Sequence, residues 1–137
     1  MDFEKPKRII DRIVLHCSAS DRPKDDNISV ISEWHRIRNI IPVGYHYFIK
    51  SDGEIQLGRS PEIPAEANPP HNRRSIAICL HGLTTFTDHQ FISLRLLVWI
   101  ILKVLGRIPV VGHCEINPNK TCPVFDYRKV LSLDKVV

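Results

Sequence analysis

Three features of this 137-residue sequence predict an α/β fold, with one central mixed β-sheet flanked by helices. Short β-branched runs alternate along the chain with segments of helical periodicity. An Asp52-Gly53 pair separates two strand-like runs, as in a hairpin. A long apolar segment from Phe91 to Leu105 opens on a helix-capping signal and closes on Gly106. Alternating elements favour layers of helix on sheet.

The elements follow in order. Residues 1–11 are polar and form a lead-in. Arg12 to Cys17 (RIVLHC) reads as a buried strand, and the polar stretch from Ser18 to Asn27 as a loop. Between Ser29 and Arg38, apolar Val30, Ile31, Trp34 and Ile37 fall at helical spacing and predict an amphipathic helix. Val43–Lys50 and Glu54–Leu57 form the hairpin. Residues 59–74 contain four prolines and no period, so they form a long loop. Ser75–His81 is a second buried strand. Thr87, with Gln90 three residues on, starts the long helix, which is apolar almost all round and is expected to be covered on more than one side. Ile108–Gly112 is a short strand, Asn117–Pro123 a loop, and Asp126–Leu131 a final short helix.

Composition narrows the function. The hydrophobic share of 43% is that of an ordinary globular chain and argues against disorder. The net charge of +4 is modest, and the basic residues do not form a nucleic-acid module, so no nucleic-acid partner is expected. Four cysteines, Cys17, Cys79, Cys114 and Cys122, do not make a small-domain disulfide framework and read as reduced. The start, Met-Asp-Phe-Glu-Lys, lacks the apolar stretch of a signal peptide, and no run is long enough to span a bilayer. The expectation is a cytoplasmic chain as synthesised, without integral membrane association and monomeric.

Chemistry concentrates at two strand ends. His16 closes the first strand, where a histidine serves either as a metal ligand or as a satisfied polar group. His113 follows the Ile108–Gly112 strand and is joined to Cys122 by a proline-containing loop that can fold back. Imidazole nitrogen and thiolate sulfur are the donors zinc prefers, and three protein ligands leave a fourth position for water. Cys122 alone also reads as a small buried hydrophobe. Elsewhere, Cys17 and Cys79 read as core and His46 as structural. His35 reads as surface or packing, Glu115 as a partner of a ligand histidine or a surface ion pair, and Cys114 as a competitor for metal.

Several stretches, in order, resemble one family. They are Ile13-Val14-Leu15-His16-Cys17-Ser18-Ala19, Val43 to Lys50 with Asp52-Gly53, Asn72 to Leu80 with Gly82, and His113-Cys114-Glu115 through Lys120-Thr121-Cys122-Pro123. Together they cover about residues 12–130 and resemble the zinc-dependent N-acetylmuramoyl-L-alanine amidases, the superfamily that includes peptidoglycan-recognition proteins. The small amidase-type lysozymes of phages are the most similar. The resemblance implies a single amidase domain over 1–137. It implies a hydrolase that cuts the amide between N-acetylmuramic acid and L-alanine in peptidoglycan. Zn2+ would be its cofactor, with no nucleotide or organic cofactor. His16, His113 and Cys122 fall on the zinc ligands. Tyr45 falls on the tyrosine of the Gly-Tyr-His motif, and Lys120 on the lysine two residues before the cysteine. Many members carry a cleft histidine before the Asn-x-x-Ser-Ile segment; here Asn68 or His71 stands in that neighbourhood as a substrate contact. Such an enzyme would reach the wall after release or export by another factor. The superfamily also includes peptidoglycan binders that have lost the zinc cysteine, which Cys122 argues against, and phage amidases that bind an RNA polymerase.

Overall fold

The computed structural model describes residues 2–67, 71–117 and 119–131. Five strands form one mixed sheet. They are β1 (Arg12–Cys17), β2 (Tyr47–Ile49), β3 (Ile55–Leu57), β4 (Ser75–Leu80) and β5 (Val110–Gly112), in the order β3-β2-β4-β1-β5. β1 pairs in parallel with both β4 and β5, and β2 pairs in parallel with β4. Among the described residues, only the β2–β3 pairing is antiparallel. Gly53 takes a φ of 89° in its turn, a conformation that glycine adopts without a Cβ clash. This is the mixed α/β sheet that the sequence predicts.

Alternation along the strands splits the core into two layers. Ile13, Leu15, Tyr47, Ile49, Ile76, Ile78 and Leu80 face one way, against Leu94, Leu97, Val98 and Ile101 of the long helix. Phe48 and Cys79 face the other way, with Ile31 and Val43. The central strands β1 and β4 are buried on both faces, which explains their unbroken apolar runs.

Two long helices cover the sheet: α1 (Ile28–Ile37) and α2 (Asp88–Leu105). The Asn27 side chain caps α1 by accepting from Ser29 N–H. On α1 the buried pair is Ile31 and His35, one turn apart, whereas Trp34 and Ile37 are exposed. The apolar spacing therefore locates the helix but not its inner face. At the start of α2, Thr87 and Gln90 form the expected capping box. Gln90 is fully buried, and its amide also donates to the carbonyls of Ile49 and His81, pinning the helix to the ends of β2 and β4. As expected, α2 is covered on more than one side, by the sheet and by residues 127–131, but it is not covered all round. Ile92, Leu96 and Trp99 lie on an exposed face.

Two shorter helices follow among the described residues: α3 (His113–Ile116), a single turn the sequence pattern missed, and α4 (Tyr127–Leu131). The lead-in is docked. Phe3 is buried in the α2-side core. The Arg8 guanidinium donates to the carbonyls of Pro61, Arg73 and Ser75 and so ties residue 8 to both ends of the 59–74 loop.

Candidate active site

Strand register brings the distant halves of the site together. Leu15 on β1 is paired with Gly112 on β5. The next residues, His16 and His113, are therefore neighbours at the carboxyl ends of two parallel strands, the edge at which open α/β sheets bind ligands. Their Nδ1 atoms are 3.2 Å apart, and their rings meet edge to face at 4.6 Å. Cys122 Sγ lies 3.2 Å from His113 Nδ1. The Cys114 N–H donates to the Cys122 carbonyl at 2.8 Å, which folds the 113–122 loop back on itself.

This cluster fits a tetrahedral metal. The ligand atoms of His16, His113 and Cys122 all lie within 4.8 Å of one another. Zinc–nitrogen bonds near 2.0–2.1 Å and a zinc–sulfur bond near 2.3 Å would set N···N at roughly 3.3 Å and N···S at roughly 3.6 Å. Both histidines are buried. Among the described residues, His16 Nε2 has no hydrogen-bond partner. Burial pushes the His16 pKa down, which favours the neutral, ligating imidazole. The Cys17 thiol donates to Cys122 and, with help from His113 and His16, holds the Cys122 pKa well below that of an ordinary thiol. The thiolate a metal requires is thus favoured in place. Cys114 lies outside this group, and Cys17 contributes a hydrogen bond to it.

The cluster opens into a cleft of about 600 Å³. Tyr45 and Lys120 line it. The Tyr45 ring is 5.1 Å from the His16 ring. Burial, reinforced by the surrounding cysteines, pushes its hydroxyl well above the ordinary tyrosine value, so Tyr45 remains a proton donor. Tyr45 precedes β2, but its carbonyl accepts from Arg59 N–H and extends the ladder by hydrogen bonding alone.

The loop of residues 59–74 forms one rim of the cleft through Glu66, Ala67 and Asn72. Asn72 Oδ1 accepts from Ala67 N–H and closes the rim on itself. Arg59, almost fully buried, donates to the carbonyls of Pro42, Val43 and Pro64, anchoring the loop behind Tyr45. Asn68 and the side chain of His71 lie outside the described residues.

His35 is the residue that sequence reasoning missed. Read from the sequence as surface or packing, it is buried and also lines the cleft. Its ring lies 5.2 Å from Tyr45, so Tyr45 stands between His16 and His35. His35 Nδ1 accepts from Gly44 N–H at 2.9 Å, which places the imidazole proton on Nε2. Burial, then Arg38 and Arg59, lowers its pKa and keeps it neutral. The available signal was its place one turn after Ile31.

Other expectations resolve simply. His46 is structural: Nδ1 accepts from Ala77 N–H and Nε2 donates to the Ile63 carbonyl. Glu115 pairs with Arg128 at 3.1 Å. Cys79 is core.

Comparison with known proteins shows the family. The N-acetylmuramoyl-L-alanine amidase family model matches residues 6–125, and the chain belongs to that family. It is 34% identical to the endolysin of Escherichia phage T7 over 134 residues, covering 91% of this chain and 87% of the relative. It is 31% identical to the endolysin of Klebsiella phage KP32, over 86% and 83% of the two chains. Among solved structures, the amidase LysC from Clostridium intestinale URNW superposes with a TM-score of 0.83 at 23% identity, over 95% of this chain and 88% of that one. Drosophila PGRP-LB superposes at 0.72 with 20% identity, over 88% and 78%. The two superpositions establish the shared fold.

Proposed function

We propose that the chain is a zinc-dependent hydrolase of the amide between N-acetylmuramic acid and L-alanine in peptidoglycan. The observation carrying this reading is the convergence of His16, His113 and Cys122 at one edge of an open cleft. These three residues would hold the ion. When bound, zinc supplies Lewis acidity to an amide carbonyl and lowers the pKa of water to about 7.

The remaining work falls to the chain. Tyr45, held protonated beside His16, donates a hydrogen bond to a reacting oxygen and orients it. Lys120 brings its ammonium to the cleft, where it offsets the negative charge that builds on the carbonyl oxygen. Neutral His35 presents an Nε2 proton behind Tyr45. The loop of residues 59–74 lies along the rim, where a stem peptide would pass.

The test is dye release from labelled peptidoglycan by the purified protein, before and after chelation and after zinc is restored. Loss on chelation with recovery on zinc supports the reading. Activity that survives complete stripping of the metal overturns the zinc mechanism.

A further inference from the structure

The outer face of α2 carries an apolar stripe that nothing covers among the described residues. Leu94, Leu97, Val98 and Ile101 point into the core, while Ile92, Leu96 and Trp99 remain 55%, 50% and 57% exposed. These three are spaced i, i+4 and i+7, so they line up along one side of the helix. Lys103 continues the line, with its ammonium 4.6 Å above the Trp99 ring. Arg95 flanks the stripe, and Arg107 is exposed just beyond the helix end. The one acidic residue on the helix is Asp88, in its first turn.

We propose that this face of α2 is an adsorption surface for an anionic phospholipid bilayer. An apolar line edged with cations and bearing a tryptophan is the pattern of a helix that lies in the lipid interface. The charge selects an anionic surface, since Arg95 and Lys103 border the stripe and no carboxylate of the helix lies beyond its first turn. The area argues against a second copy of the chain. Three half-exposed side chains offer about 350 Å², against roughly 800 Å² per partner in a stable dimer. A flat lipid surface can accept such a strip along the roughly 27 Å length of an 18-residue helix.

The fold then determines orientation. α2 packs on the sheet face carrying Ile13 and Leu15, and by alternation the His16 side chain is on the other. A chain lying on lipid through α2 turns its cleft away from the bilayer. If the amidase reading holds, the cleft would face the wall, yet adsorption itself requires no activity.

The test uses the full chain carrying Trp34→Phe, which leaves Trp99 as its one tryptophan. Vesicles of phosphatidylethanolamine with phosphatidylglycerol are compared with vesicles of phosphatidylcholine alone. The expected result is a blue shift of Trp99 emission and co-sedimentation with the anionic vesicles, weakened by salt. Leu96→Asp and Lys103→Glu, both at exposed positions, should each reduce partitioning about tenfold while leaving hydrolysis of a soluble muropeptide unchanged. Absence of any emission shift at low salt overturns the proposal. So does equal partitioning by both variants, or a concentration-dependent dimer that Leu96→Asp dissociates.

Discussion

His16 Nδ1 and His113 Nδ1 are 3.2 Å apart in space and 97 residues apart in sequence, and the pairing of Leu15 with Gly112 sets that distance. The proposed metal site therefore depends on β1–β5 register rather than on a local motif. Cys122→Ala removes the third donor without touching that register. The purified variant should lose its stoichiometric zinc, measured by elemental analysis, and its kcat/KM should fall at least a thousandfold, or about 4 kcal/mol of transition-state stabilisation. Retention of full zinc content by this variant would contradict the assigned ligand set.

Tyr45 and Lys120 line the cleft and stand outside the proposed ligand set of His16, His113 and Cys122. Tyr45→Phe and Lys120→Ala should therefore keep their zinc and lose rate, by roughly 10²–10³ each. The loss should appear mainly in kcat. Parallel loss of metal would show that these residues act by holding the site together.

His46 links stability to pH. Burial pushes its pKa down to about 4, and the ring is locked between Ala77 N–H and the Ile63 carbonyl. The folded state thus binds its proton later than the unfolded chain, whose histidine titrates near 6.5. The stabilising contribution is complete above about 6.5, falls as pH drops from there to about 4, and amounts to about 3 kcal/mol. His46→Gln should flatten the slope of unfolding free energy over that interval, as followed by urea denaturation at a series of pH values.

Gly44 sits directly against the Glu66 backbone at the cleft rim. A Cβ there would run into the Glu66 carbonyl and crowd His35. Gly44→Ala should destabilise the fold by about 2–3 kcal/mol and lower activity, because the neighbouring Tyr45 must shift with it. Thermal unfolding and kcat/KM measured on the same preparation would check both effects.

Asp21 organises the far rim. Its carboxylate accepts from the N–H groups of Leu83, Thr84 and Thr85 and from the Thr84 hydroxyl, and these bonds hold its pKa well below the usual carboxylate range. The stabilising contribution is present above the unfolded value near 4 and is lost as pH falls below it. Asp21→Ala should raise amide hydrogen exchange at Leu83, Thr84 and Thr85 while leaving β1 and β4 protected.

The sequence by itself determined the β1 and β4 strands, the hairpin turn at Asp52-Gly53 and the capped α2, because each is written in adjacent residues. Unbroken apolar runs, a glycine turn and a Thr87–Gln90 box are local signals. His16, His113 and Cys122 were legible as candidate donor types, and family resemblance grouped them. What only the tertiary structure decided was which faces the helices bury. On α1 the sheet takes Ile31 and His35 and leaves Trp34 and Ile37 outside; on α2 it takes one side and leaves Ile92, Leu96 and Trp99 in view. Periodicity states that a helix has an apolar side, but when polar and apolar residues share the stripe, the choice of buried face depends on what the neighbouring sheet can pack and hydrogen-bond. His35 became part of the cleft for that reason: the Gly44 N–H needed an acceptor at that point, and only the folded chain brings the two together.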